Sequence, residues 1–228
     1  MLDLSRTVRF CVHPGLTVAE QLDQPRDNSF AAWPSMRGLG AYYEFTVTCG
    51  GRLGSVTGYL INITDVDRAV RNVAVPVIAE ALRETPSREP ASLLPPIMER
   101  LADELDVPVK ALRWNLTPFY TVAMRNHATP PLLLAQQFDF AAAHRLHCAE
   151  LSDEENRRIF GKCNSPNAHG HNYRLEIEVG VHLTEDDRLG FGLADLEAVV
   201  NREVIERFDH TNLNLDTEEF RDLNPSVE

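Results

Sequence analysis

The sequence predicts an α+β fold built twice in tandem, each copy an antiparallel sheet with helices on one face. Two observations predict it. Strand patterns precede helix patterns and then return, which is the order of an α+β domain. The chain also matches itself without a gap when its first half is laid on its second. In that match Phe30 falls on Phe160, Ser35 on Ser165, Gly40 on Gly170, Tyr43 on Tyr173, Gly50 on Gly180, Asp65 on Asp195 and Pro95 on Pro225. A period this long means two copies of a domain rather than a solenoid.

The elements follow in order. A first strand is expected over Arg6–Val12 and again over Leu133–Ala142, followed each time by a loop with room for a short helix. Period-two alternation marks a second strand at Tyr42–Cys49 and Tyr173–Val181. A helix begins at Thr64 or Ala194 with Asp65 or Asp195 in its first turn, where a carboxylate suits the helix dipole. In the first copy this helix continues toward Glu84, a second helix covers about Leu93–Leu105, and a closing segment Ala111–Met124 is long enough for two strands joined at Thr117-Pro118. Thr129-Pro130-Pro131 reads as a linker, so the copies are assigned to residues 1–130 and 131–228. Glu228 aligns with Met98, so the last helix and closing strands of the first copy have no counterpart in the second. The expectation is that the sequence is a fragment, because an open sheet edge is a liability.

Composition narrows the function. The chain has 228 residues, 43% hydrophobic and 25% charged, a globular balance. It holds no apolar run of the roughly 18 residues a membrane span needs, and its start lacks the apolar stretch of a signal peptide. A cytoplasmic protein is expected. The net charge of -12 argues against general nucleic-acid binding. That charge is concentrated: residues 1–130 carry -1 and the remainder -11. An anionic substrate must therefore be met by a metal or by a few basic groups, and Arg145, Lys162 and Arg174 are the nearby cations, each equally readable as solvated surface charge. The four cysteines form no CxxC pair and are expected as thiols. Cys11, Cys49 and Cys148 read as small buried hydrophobes.

Chemistry-bearing residues gather in the second copy. His169-Gly170-His171 enters a strand, where side chains at i and i+2 share a face and both imidazoles can address one metal. Gly170 between them is expected to let the backbone approach closely. His144 follows the preceding strand, and three histidines with an open fourth position suit a catalytic zinc site. His147, three residues on, is placed on the opposite face as a bland neighbour, as are His13, His127 and His182. Cys163 lies in the turn-rich Gly161-Lys162-Cys163-Asn164, where Lys162 and a bound cation would favour its thiolate. Asp209-His210 closes the second copy's helix, and a carboxylate beside a histidine sets its tautomer and basicity. In the first copy every one of these groups is replaced: Leu39 and Ala41 stand for the paired histidines, Pro14 for His144, Trp33 for Cys163, and Ala79-Glu80 for Asp209-His210.

These residues resemble the 6-pyruvoyl-tetrahydropterin synthase family, which includes the 6-carboxytetrahydropterin synthases. The resemblance rests on Phe140-Ala141-Ala142-Ala143-His144-Arg145-Leu146, on Leu151-Ser152-Asp153-Glu154-Glu155-Asn156, and on the run from Phe160 through Gly161-Lys162-Cys163-Asn164 and His169-Gly170-His171 to Tyr173. It closes with Asp209-His210-Thr211-Asn212-Leu213 and Asn224-Pro225-Ser226-Val227-Glu228. It implies the tunnelling fold, in which small domains assemble side by side into a ring-shaped sheet barrel, and hence a homo-oligomer, a trimer or dimer of trimers. It implies Zn²⁺ on His144, His169 and His171, Cys163 as general base, and Asp209 and His210 as relay and acid. The implied substrate is 7,8-dihydroneopterin triphosphate. The family's pterin-anchoring glutamate lies on a late strand beyond Glu228, its first-copy match is Leu116, and Glu228 itself matches a second family glutamate expected at the substrate. The spacing of Cys163 and His169 is closer to the pyruvoyl-forming members. The alternatives are a carboxy-forming lyase of deazapurine synthesis, a zinc-stabilised assembly subunit without turnover, and a metallohydrolase, ranked last for want of an acidic base beside the histidines.

Overall fold

The computed structural model describes residues 1–22 and 39–226. The repeat matches at Phe30 and Ser35, the position of Trp33, and Glu228 lie outside the described residues. The chain divides into two compact units, one formed by Met1–Gln136 with Ile177–Phe191, the other by Gln137–Glu176 with Gly192–Glu228.

In the first unit, strands β1 (Leu2–Val12), β2 (Ala41–Gly51), β3 (Val109–Asn115) and β4 (Tyr120–Arg125) pair antiparallel in that order. β4 then pairs with the first residues of β5 (Leu132–His144), Tyr120 opposite Gln136 and Met124 opposite Leu132. The expected two strands around Thr117-Pro118 are thus β3 and β4. The segment read as a linker is the tight connection of the β4–β5 hairpin, where Arg125 N–H donates to the Pro131 carbonyl at 2.9 Å.

Alternation decides which side of this sheet is dry. Val8, Phe10, Val12, Phe45, Val47, Leu112 and Trp114 are buried. The intervening side chains form polar ladders, with Ser5 on Thr48 at 2.8 Å, Thr7 on Thr46 at 2.9 Å and Arg9 on Glu44 at 2.8 Å. Two helices cover the dry face. α2 (Ile63–Glu84), which follows the short α1 (Val18–Leu22), starts where the Asn62 side chain accepts from Thr64 N–H. It buries Val66, Val70, Val73, Ala74 and Ile78, one helical stripe. α3 (Leu94–Glu104) buries Leu94, Ile97, Met98 and Leu101. Arg6 on β1 forks onto Asp67 of α2 through bonds of 2.7 and 2.6 Å, and this pins helix to sheet.

In the second unit the end of β5 lies between the start of β6 (His169–Val181) and the short parallel strand β7 (Thr211–Asn212). α4 (Asp153–Phe160) opens with a capping box, Ser152 and Glu155 each bonding the other's backbone N–H, and ends at Gly161, whose φ of +54° favours glycine. α5 (Leu193–Val200) passes through a π-helical stretch, Asn201–Ile205, into one last turn, α6 (Glu206–Phe208). Such π insertions recur beside functional sites. A final turn of helix, α7 (Leu213–Asp216), follows β7. Among the described residues no helix is long and apolar enough to cross a membrane.

Candidate metal centre and catalytic groups

The end of β5 and the start of β6 carry the three histidines to one place. One ring nitrogen from each of His144, His169 and His171 lies within 4.8 Å of the other two. Ring centroids are 4.6 Å apart for His144–His169 and His169–His171, and 4.9 Å for His144–His171. Strand alternation explains His169 and His171. His144 meets them because β5 continues two residues past its expected end.

The three nitrogens fit a metal better than they fit each other. His144 Nε2 and both ring nitrogens of His169 are buried without a hydrogen-bond partner. Buried polar atoms left unpaired are costly, and three in one cluster mark a place for a ligand. Burial pushes the His144 pKa down, reinforced by the neighbouring His169 and His171 and opposed by the hydrogen bond to Pro225. The histidine is thus held in the neutral form that ligation requires. Its Nδ1 donates to the Pro225 carbonyl at 2.6 Å, leaving Nε2 to face the cluster.

The Asp209-His210 pair is fixed by the backbone of β5. Ala141 N–H donates to Asp209 Oδ1 at 2.9 Å, and His210 N–H donates to the Ala141 carbonyl at 2.6 Å. His210 takes a φ of +56°, a left-handed turn that brings its Nδ1 to Asp209 Oδ2 at 2.7 Å. The Ala141 bond, then the His210 bond, lower the Asp209 pKa, so the carboxylate stays ionised. Donation from Nδ1 leaves Nε2 of the exposed His210 ring free for proton transfer. His210 and His171 line one open cleft of about 520 Å³ together with Gly170, Asn172 and Thr211.

Cys163 is half-buried in a 3₁₀ turn, Gly161–Asn164, and is not among the residues lining that cleft. Its backbone is tied to the segment after His144, with Leu146 N–H donating to the Cys163 carbonyl at 2.9 Å. Of the other cysteines, Cys11 and Cys49 are buried as expected and their thiol pKa values are raised by burial. Cys148 is not; it is half-buried and lines a cavity of about 650 Å³ with Arg145 and Arg221.

Two expectations differ from the structure. His147 is no bland neighbour on an opposite strand face, because β5 ends at His144. It lies in the following loop, where its N–H reaches Asn224 at 2.8 Å and its Nδ1 accepts from Asn164 at 3.0 Å. Gly170 needs no close approach, since a Cβ there would meet only the Ala142 carbonyl at 4.0 Å. Of the nearby cations, Arg174 lies in an exposed ion pair with Asp139 at 3.1 Å, a solvated surface charge, whereas part-buried Arg145 donates through Nε to the Asn164 carbonyl at 3.1 Å. Sequence reasoning missed the Pro225 carbonyl and Asn156, Asn164, Asn214 and Asn224. Backbone acceptors leave no mark in a sequence; the signal for Asn156, Asn164 and Asn224 was their place in the motifs that carry the resemblance.

Known proteins share this half of the chain. A family model described as 6-pyruvoyl tetrahydropterin synthase matches residues 133–228. The human 6-pyruvoyl tetrahydrobiopterin synthase is 38% identical over 95 residues, 42% of this chain and 66% of that protein. The Dictyostelium discoideum protein of the same name is 34% identical over 97 residues, 42% of this chain and 70% of that protein. The solved structure of Caenorhabditis elegans 6-pyruvoyl tetrahydropterin synthase aligns at 36% identity over 42% of this chain and 68% of that one, with a TM-score of 0.39. The chain thus spans about two thirds of the length of these relatives. With the histidine cluster at the strand ends and this level of identity, the chain belongs to the 6-pyruvoyl tetrahydropterin synthase family.

Proposed function

We propose that the chain is a zinc-dependent carbon–oxygen lyase that converts 7,8-dihydroneopterin triphosphate to 6-pyruvoyl-tetrahydropterin with loss of triphosphate. The observation that carries this reading is the cluster of His144, His169 and His171 with unpartnered buried nitrogens, in a chain whose relatives are named for that reaction. His144, His169 and His171 hold the ion; three imidazoles suit zinc and leave a position open for substrate. When bound, zinc supplies a Lewis acid for the side-chain hydroxyls of the substrate.

The chain's own groups move the protons. Cys163 as thiolate removes a carbon-bound proton beside a hydroxyl-bearing carbon, and His210, oriented through Nδ1 by Asp209, returns a proton from Nε2. The redox change is internal: the side chain is oxidised as the ring imine is reduced, so no external electron carrier is required. Glu228 is assigned to the substrate by family resemblance alone.

We further assign residues 1–130 as a degenerate copy of the catalytic half and expect a trimer or dimer of trimers. Element starts support the repeat. β5 begins at Leu132, the match of Leu2 where β1 begins, and α5 begins at Leu193, the match of Ile63 where α2 begins.

The test is incubation of the zinc-loaded chain with 7,8-dihydroneopterin triphosphate and identification of products by mass spectrometry. A pyruvoyl product is expected. A carboxy product with acetaldehyde would move the chain to the deazapurine branch. Bound zinc without turnover would favour the assembly-subunit reading.

A further inference from the structure

The segment after His144 has no regular structure, yet each backbone N–H from Arg145 to Cys148 has an acceptor. Arg145 donates to Asn214 Oδ1 at 2.7 Å, Leu146 to the Cys163 carbonyl at 2.9 Å, His147 to Asn224 Oδ1 at 2.8 Å, and Cys148 to Asn156 Oδ1 at 2.8 Å. Three of the four acceptors are asparagine side chains from separate places in the unit. Asn156 is fully buried and spends its amide on the Cys148, Leu151 and Ser152 carbonyls. Asn164 spends its amide on the Leu146 carbonyl and His147 Nδ1. Such side chains replace the ladder that a loop lacks.

One of these bonds does more than close a loop. Asn224 precedes Pro225, whose carbonyl receives the Nδ1 proton of His144 at 2.6 Å. Ser226 N–H folds back onto the Asn224 carbonyl at 2.8 Å, so Asn224–Ser226 is a tight strap. The strap is fastened to the loop through the Asn224 side chain on His147 N–H, three residues from His144. We propose that Asn224 is a positioning residue for the metal centre: it holds the Pro225 carbonyl on His144 and thereby fixes the tautomer that presents Nε2 to the ion. The Asn224 side chain bonds His147 N–H and not one of the three histidine rings; it acts through Pro225. The inference rests on the reading that His144, His169 and His171 bind a divalent metal.

Two measurements test it on the full chain. The first is zinc affinity, by competition with a chromophoric chelator. Loss of an outer-shell partner of a ligating histidine typically costs about 10- to 100-fold in metal affinity, and Asn224→Ala is expected to fall in that range. Asn224→Asp keeps the acceptor oxygen and is expected within about threefold of the parent, which a general loss of packing would not permit. The second is the two-bond ¹H–¹⁵N spectrum of the metal-free chain at about pH 8, above the ordinary histidine value. His144 is expected as the Nδ1–H tautomer in the parent and as a mixture in Asn224→Ala. Unchanged affinity and tautomer in Asn224→Ala would overturn the proposal, and so would an Nε2–H His144 in the parent, whether or not the variant folds. Failure of the parent to bind zinc while the tautomer shift persists would instead remove the metal reading and leave the positioning role standing.

Discussion

Strand pair β1–β2 and strand pair β5–β6 make the same contacts with different chemistry. Positions related by the self-match meet in both. Arg9 pairs with Glu44 at 2.8 Å, and Asp139 pairs with Arg174 at 3.1 Å, the same two positions with the charges exchanged. Thr7 bonds Thr46 at 2.9 Å where Gln137 bonds Glu176 at 3.1 Å. Phe10 lies 6.1 Å from Tyr43 at 55°, and Phe140 stacks on Tyr173 at 4.9 Å and 7°. Each of these is a direct cross-strand pair, the unit by which neighbouring strands stabilise one another. The difference lies at the strand ends. Leu39 and Ala41 stand where His169 and His171 stand, and Pro14 where His144 stands. Leu39 is 99% exposed, so nothing in the packing of the first pair asks for a histidine. The shared positions pair across the sheet, and the unshared ones include the three histidines that could hold a metal ion.

That contrast can be broken in four ways, from the largest effect to the smallest. Replacing a histidine of the second pair should be decisive: His169→Ala removes a ligand from a three-ligand site, and zinc content by elemental analysis should fall from one per chain to none. Retention of stoichiometric zinc would sink the site assignment. Cys163→Ala should lower the rate of product formation by about 10²- to 10⁴-fold, the range of a general base, while zinc content stays at the parental level. Full turnover would mean that another group takes the proton.

The third effect belongs to the first half. Asp67 is 5% exposed at its side chain and is held by Arg6. Asp67→Ala removes the buried carboxylate that a part-buried Arg6 grips with two charged hydrogen bonds, and urea unfolding should show a loss of about 1.5–3 kcal/mol with zinc affinity unchanged. A change in zinc affinity of comparable size would show that the halves do not divide framework from chemistry. The smallest effect is on pH. The His144 pKa is lowered in the folded chain from its ordinary 6.5, so the unfolded chain binds the proton more readily. Stability of the metal-free protein should therefore fall as pH drops below 6.5 and level off once pH passes the lowered folded value. His144→Phe should remove that part of the pH dependence, and an identical profile would show that other groups carry it.

Much of this was legible in the sequence. Alternation located β2, the length of Ala111–Met124 gave the two strands around Thr117-Pro118, and Asp65 in a first turn placed the start of α2 to within a residue. The i, i+2 spacing of His169 and His171 put them on one strand face because a pleated strand allows nothing else. The Ser152–Glu155 capping box lies in the matched motif and marks the start of α4. Nothing along the chain warned that β5 continues to His144, since Ala141-Ala142-Ala143 has no alternation to read.

By itself, then, the sequence determined the strand and helix periods, the self-match of its two halves, and the identity of the three candidate ligands. These depend on spacing along the chain, which local geometry converts directly into facing. Only the tertiary structure decided that His144 reaches His169 and His171, that Asp209 and His210 grip Ala141, and that the Pro225 carbonyl sets the His144 tautomer. Those contacts join residues far apart in the chain, several through backbone atoms that every residue shares, and nothing in one residue's identity records where another's carbonyl will point.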